Sequence, residues 1–426
     1  MTTEVSDLLS TTCDRIGRIT RALGVAAVLS ATLSGCTTIT DWFADEEELE
    51  IRRIAPLDAK FTPVVNWETE VGDGIDDYFS RLRPVFANDK LYMADRHGVV
   101  AALSPDTGRV IWEQDFAIFT DEGMMASVRR LWASGQSAKI AGLAVDGDFV
   151  LVGTEDGILM ALNAESGALE WSQTVPGEIL AAPATGENKV VVNTGAGTLF
   201  AFDLRTGEPA WQHEGDVPPL SLRGISTPAI SNGGVIVGTP TGKVQVNIID
   251  SGLVAWETAV TSPAGATELE RIVDVDAAPL MFGGTIYVIS YNGTLAAVEL
   301  RSGRVIWKRE YGSYRNVTMD GTTLFVVDND SYVYALDRRN GVELWSQSGL
   351  KKRSLTAAEP VGDYIVVGDK WGLIHWLDKS TGEMVARYDL GGDDEDESVY
   401  VSPLNVNGNI IAVTREGDVA SFSFPQ

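Results

Sequence analysis

The chain has 426 residues, with 60 acidic and 33 basic side chains and a formal net charge of −27 at pH 7. At roughly 100–200 residues per domain, this length fits two or three domains or one larger unit built from repeats. So negative a balance argues against general nucleic-acid binding, which needs cations against phosphates, and against charge-driven binding to anionic headgroups. The 11 Trp suffice for a substantial core, and 43 Gly suit a turn-rich all-β chain.

Residues 1–35 read as a leader. Arg15, Arg18 and Arg21 precede an apolar run from Leu23 to Leu33, 11 residues long, where a spanning helix needs about 20. A basic flank, a short apolar stretch and small residues make a secretory signal. Its end, Leu33-Ser34-Gly35-Cys36, resembles the lipobox of bacterial lipoproteins, in which cleavage falls before the Cys and the thiol takes a diacylglycerol. An ordinary signal peptide followed by an incidental Cys is the plainer alternative. Glu4, Asp7 and Asp14 ahead of the apolar run fit either a long leader or a start downstream of Met1. Cys13 leaves with the leader and an acylated Cys36 cannot pair, so no disulfide and no Cys metal site is expected. Thr37, rather than Asp, follows the Cys, which by the same resemblance implies the outer membrane. Residues 36–60 then form an acidic linker, in which Asp45 to Glu48 repel one another and extend it.

From Phe61 onward one register recurs: a Gly, alternating apolar residues, a second Gly ten positions on, and a Trp four later. Five copies are complete: Gly98–Gly108–Trp112, Gly157–Gly167–Trp171, Gly197–Gly207–Trp211, Gly242–Gly252–Trp256 and Gly293–Gly303–Trp307. Ser331 replaces the first Gly before Gly341 and Trp345, and Ala386 replaces the Trp after Gly372 and Gly382. An eighth copy opens at Gly417, and Trp67 stands alone ahead of the first.

Upstream of the first Gly runs another apolar strand, ending in turn formers such as Glu155-Asp156-Gly157, so each copy holds a hairpin. The second Gly follows Ser, Thr or Asn and supplies the positive φ of the next tight turn. A further short strand precedes each hairpin, for instance Ala181 to Ala184 or Ala277 to Leu280. Four strands per copy, at intervals of 38 to 59 residues, define propeller blades. The segment Phe61 to Glu70 supplies the outer strand missing from the last copy. The expected fold is therefore an all-β, eight-bladed propeller over 61–426, closed by its own N-terminal strand so that few sheet edges stay exposed. The phrase from Asp203 to Trp211 resembles the tryptophan-docking repeat of quinoprotein-like propellers, where each Trp packs between neighbouring blades. That repeat defines a fold and not quinone chemistry.

Catalytic signals are sparse. The three His (His97, His213, His375) have no helical i, i+4 spacing and no ligand cluster around them. His97 and His375 fall in or beside repeat strands, which predicts structural roles. There is no nucleophile elbow, phosphate-binding loop or dinucleotide fingerprint. Asp328-Asn329-Asp330 occupies a hairpin turn and lacks the Glu that a calcium loop requires at its twelfth position. The run Asp393 to Glu397 reads as a solvated loop. No cofactor and no metal is expected, and neither is an enzymatic activity.

Three connections between blades are long: Glu113 to Ile140, Gln212 to Gly224 and Glu257 to Asp276. The second contains Leu220-Ser221-Leu222-Arg223-Gly224 and the third Arg271-Ile272-Val273-Asp274-Val275-Asp276. They occupy the same point of consecutive blades, which places Arg223 within reach of Asp274. One reading is an inter-blade salt bridge over buried Leu side chains. The other is an exposed Leu/Arg patch that anchors a partner. The outer strands show no obvious exposed apolar edge, which favours docking through this loop face over strand addition.

The lipobox, the eight-bladed Trp repeat, Leu220 to Gly224 and Asp274 to Asp276 together resemble the BamB family, lipoproteins of the β-barrel assembly machinery. Ser290-Tyr291-Asn292-Gly293 and Leu300-Arg301-Ser302-Gly303 through Arg309 match as well. The resemblance implies a non-enzymatic scaffold, lipid-anchored through Cys36 at the periplasmic face of the outer membrane. It also implies a monomer within a hetero-complex that binds the periplasmic (POTRA) domains of BamA and assists barrel insertion. Leu220, Leu222, Arg223, Asp274 and Asp276 would form or support that contact. The alternatives are a periplasmic quinoprotein-like dehydrogenase and a propeller that binds a ligand in its funnel.

Overall fold

The computed structural model describes residues 50–117, 136–218, 225–263, 267, 272–390 and 398–425. A first unit ends at Ala55, with a helical turn at 50–52; the second runs from Pro56 to the C-terminus and holds all the strands. Among the described residues no helix is long and apolar enough to cross a membrane.

The strands form eight four-stranded antiparallel sheets. Blades 1 to 7 span 85–115, 140–174, 184–214, 229–259, 280–309, 318–347 and 359–389. Blade 8 takes three strands from 404–423 and its outermost strand from Val64–Glu70, which pairs antiparallel with Asp418–Ser423. The N-terminal closure read from Trp67 is thus present. In each blade the second and third strands are apolar on both sides, as in Lys189–Asn193 and Thr323–Val327, because both faces of a blade lie against neighbouring blades.

The innermost strands differ from the sequence expectation. They are mostly three residues long and start later, at Ala184 and Leu280 rather than Ala181 and Ala277. A Pro stands immediately ahead in both cases (Pro183, Pro279), and also before Val85, Ala229 and Leu404. Proline has no N–H for the ladder, so pairing begins one residue beyond it.

Cohesion between blades comes from the repeated Trp. A Cβ added to Gly108, Gly167 or Gly252 would lie 2.5 Å from the ring of Trp67, Trp112 or Trp211 of the preceding blade. The same contact recurs at Gly207, Gly303, Gly341 and Gly382. Each of these seven indoles also donates its N–H to a carbonyl of the turn it covers, at 2.6 to 3.2 Å. Glycine is required there twice over, for its positive φ near 70° and for the flat seat it offers the ring.

Ala386 breaks the series at the junction of blades 7 and 8, and the topology explains it. Blade 8 has no turn between its third and fourth strands, because the fourth arrives from the other end of the chain. A Trp at 386 would have no turn to sit on. An aromatic cluster fills the junction instead: Trp376 lies 6.0 Å from Phe422 and 6.5 Å from Phe61, with Tyr364, Tyr388 and Phe424 around it.

Candidate interaction face

In each blade the turn between the second and third strands lies on the face from which the chain crosses to the next blade. The Trp-seating turns lie on the opposite face. A shared device shapes the crossing face. The residue three before the first Gly of the repeat is Asp in blades 1, 6 and 7 (Asp95, Asp328, Asp369) and Thr or Ser in the other five. In all eight, its side-chain oxygen accepts the backbone N–H four residues on. These Asx- and ST-type turns hold the hairpin heads rigid. Asp328-Asn329-Asp330 is one of them, as the sequence reading had it.

The carboxylates do more than cap. Asp369 accepts from Arg353 Nε at 2.6 Å and lies 3.0 Å from His375 Nε2, all three fully buried. Burial alone would raise its pKa. The hydrogen bond from His375 and the charge of Arg353 outweigh burial and hold it below the usual carboxylate range. Burial also keeps His375 below its ordinary value. His375 is therefore an internal partner of a blade.

The axis of the ring is occupied by the segment that follows the closing strand. Its backbone is pinned to blades 8 and 1: Ile75 N–H donates to Arg415 O at 2.8 Å and Arg96 N–H to Gly74 O at 2.8 Å. Arg415 reaches Asp76 O and Tyr78 O at 3.1 and 2.9 Å, and Tyr400 Oη donates to Leu82 O at 2.9 Å. From this anchorage Arg81 extends across the ring. Its Nη1 donates to Asp276 O at 2.6 Å and Ile225 O at 3.3 Å, and its Nη2 to Tyr314 O at 3.3 Å. These carbonyls belong to the chain just ahead of blades 5, 4 and 6. Beside it Phe79 is 57% exposed and meets Tyr314 edge-on at 6.0 Å. A small hollow remains between Phe79, Arg81, Ala141, Leu180 and Ile225.

Asp274 and Asp276 lie here, and both are buried, at 1% and 4% exposure. Asp274 O accepts from Tyr291 N–H at 3.0 Å. The buried Asp276 Oδ2 meets no hydrogen-bond donor among the described residues. Burial raises the Asp276 carboxyl to about 6, with Arg81 pulling the other way. Both carboxyl groups therefore lie within the fold and are not presented on its surface. Leu220, Leu222, Arg223 and Arg271 lie outside the described residues, as do Cys36 and the run Asp393 to Glu397. The cation placed near Asp276 is Arg81, which no local motif announced.

One expectation is corrected. The outer strands do expose apolar side chains: Val110 and Ile111 in blade 1, Leu169 in blade 2, Val254 in blade 4, Ile306 in blade 5, Val342 and Leu344 in blade 6. The outermost strand of a blade has only one sheet neighbour, so residues that look core-like in sequence face solvent there. Among the described residues no group of three His, Cys, Asp or Glu side chains is arranged to hold a metal ion.

An eight-bladed, tryptophan-docked ring defines the class: a quinoprotein-like propeller. Residues 64–128, 96–347 and 330–424 match the family described as outer membrane protein assembly factor BamB. The assembly factor of that name from Alteromonas naphthalenivorans is 62% identical over 412 residues, 97% of this chain and 99% of that protein. The one from Escherichia coli K12 is 33% identical over 405 residues, 95% and 99%. The crystal structure of BamB from Moraxella catarrhalis superposes with a TM-score of 0.72 at 25% identity, covering 85% of this chain and 100% of that one. Quinohemoprotein alcohol dehydrogenase from Comamonas testosteroni, at a TM-score of 0.64 and 15% identity over 85% of this chain and 78% of that one, shares the fold alone. The chain belongs to the BamB family.

Proposed function

We propose that this protein is an assembly factor for outer-membrane proteins, acting as a scaffold and not as a catalyst. Family membership over nearly the whole chain, with relatives named as such factors, is the observation that carries this reading. The spanned axis supports the non-enzymatic part. A quinone in the funnel would compete for space with Arg81 and Phe79, whose positions are fixed from blades 8 and 1.

Residues 1–35 act as a lipoprotein leader and Cys36 carries the lipid. Each acyl CH₂ buried contributes about 0.8 kcal/mol, enough to hold a water-soluble propeller at the periplasmic face of the outer membrane. Residues 36–60 give it reach. The crossing face docks the periplasmic (POTRA) domains of BamA, with Leu220, Leu222 and Arg223 as the anchor and Asp274 and Asp276 beneath.

The test is an affinity pull-down of the tagged, lipidated protein from detergent-solubilised envelopes, with mass spectrometry of what co-purifies. Recovery of a large β-barrel protein with periplasmic domains, diminished by Arg223→Glu, is the expected result. Undiminished recovery with Arg223→Glu would move the contact away from this face, with the exposed outer strands the next surface to probe. Failure to recover such a partner at all would overturn the scaffold reading.

A further inference from the structure

We propose that Arg81 is a positioning residue for the docking face, a strut that sets the chain ahead of blades 4, 5 and 6 from the axis. The inference rests on the crossing face being the docking surface. Its geometric content, the strut itself, can be tested separately.

The innermost strands of those blades are only three residues long: Ala229–Ser231, Leu280–Phe282 and Thr318–Asp320. The chain ahead of each lies outside the ladder and is held by scattered bonds, some from the backbone: Val275 N–H donates to Thr239 O at 3.2 Å and Ser313 N–H to Ser290 O at 3.1 Å. Other anchors act within a blade or between adjacent ones. Ser226 Oγ donates to Ala277 O of the next blade's approach at 3.2 Å, and Ser313 Oγ to Val327 O at 2.6 Å. Arg81 instead gathers three carbonyls from three blades onto one guanidinium, from residues 144, 195 and 233 positions away. A planar fork suits this task, since it presents several N–H groups in fixed directions. An ammonium is a point donor on a shorter reach.

Two features separate this role from general fold stabilisation. Ring cohesion has sources apart from Arg81: the apolar strands packed blade against blade, and at the opposite face seven indoles seated on the turns of the next blade. Among the described residues the hydrogen bonds of Arg81 all fall at the crossing face, and one of its three acceptors is the backbone of Asp276, within the region proposed to bind. Loss of the guanidinium should therefore loosen one face and leave the ring closed. The same side chain places a cation beside the Asp276 carboxyl.

The experiment uses the full lipidated chain and the purified periplasmic domains of the barrel-forming partner, with Arg81→Met and Arg81→Lys beside Arg223→Glu. Hydrogen exchange of residues 225–228, 272–279 and 314–317 is read against the second and third strands of each blade. Arg81→Met should speed exchange in those three stretches alone and weaken binding by about tenfold, the size typical of losing charge-assisted hydrogen bonds. Its thermal midpoint should fall modestly, because three carbonyls lose a charge-assisted donor, while the second and third strands keep their protection. Arg81→Lys should fall between, and it replaces Arg81→Met as the deciding variant if the latter fails to fold. Unchanged exchange in all three stretches overturns the strut. Faster exchange with undiminished binding, while Arg223→Glu does weaken binding, overturns its positioning role. If Arg223→Glu also binds normally, the docking-face reading falls and takes the positioning role with it, and exchange then decides the strut alone.

Discussion

Trp376 and Ala386 face each other across the third and fourth strands of blade 7, large residue inside and small residue outside. Every other blade has the reverse: Ala102 opposite Trp112, Ala161 opposite Trp171, Ala201 opposite Trp211, Val246 opposite Trp256, Ala297 opposite Trp307, Ala335 opposite Trp345 and Ser421 opposite Trp67. The exchange keeps the volume at the junction while moving the indole to where blade 8 can receive it. The buried indole N–H of Trp376 finds no acceptor among the described residues. Trp376→Ala should cost about 3–5 kcal/mol in urea unfolding, the usual penalty for truncating a buried aromatic. Trp376→Phe should cost far less, because it removes an unsatisfied donor along with part of the ring. Equal losses from both would contradict this account.

Gly252 and Gly283 separate seat from strain. Both have positive φ, 71° and 57°. A Cβ on Gly252 meets the Trp211 ring at 2.5 Å, and a Cβ on Gly283 meets nothing within 4 Å. Gly283→Ala should cost about 1 kcal/mol for the left-handed backbone. Gly252→Ala should add a further 1–3 kcal/mol of overpacking, and quench or shift the Trp211 emission.

Ser331 replaces the first Gly of blade 6 and keeps its positive φ, 67°. It is fully buried, and its Oγ accepts from Leu355 N–H at 3.1 Å. Removing that acceptor from a buried donor costs about 1–3 kcal/mol, so Ser331→Ala should destabilise by that amount. Ser331→Gly should recover about 1 kcal/mol of it by relieving the backbone. Denaturation midpoints ordered serine, glycine, alanine are the expected result.

Asp276 makes a signed pH test. The folded chain holds this proton up to about pH 6, against 3.8 for an unperturbed carboxyl. Between those values the folded state binds more protons than the unfolded, so this residue's contribution to stability falls as pH rises through the window and levels off above it. Asp276→Asn cannot ionise. Its stability relative to the parent should improve by up to about 3 kcal/mol from pH 4 to pH 7. Asp369, with its carboxyl held below the usual range, acts in the opposite sense and is common to both proteins. A gap that does not change with pH would show that Asp276 is not held protonated.

The ring was legible because its determinants are local. The Gly–Gly–Trp spacing, the turn formers and the lone Trp67 each lie within a few residues of the structure they specify. The Asp, Thr or Ser three before the first Gly is equally local in all eight copies, from Asp95 to Thr414, but only the Asp328 copy stands out as a turn in sequence, because no single residue type fills the position. The axis was not legible. Arg81 acts across separations of 144 to 233 residues, on backbone carbonyls that carry no side-chain signature. The depth of Asp274 and Asp276 was hidden for a related reason. Their acidic pattern reads as surface, while the fold buries both side chains.

The closing strand also sets the order in which the molecule can form. Asn66 and Ser423 bond to each other from 357 positions apart, whereas strands within blades 1 to 7 meet neighbours a few residues away. Local hairpins can therefore condense early, and the long-range closure comes late and slowly. A chain emerging N-terminus first must keep Val64–Glu70 unpaired until its last residues arrive. Until then both ends of the array are open edges able to pair with another chain. Completion of the ring thus requires delivery of Asp418–Ser423, and a copy cut short before Asp418 has no partner to offer its own beginning.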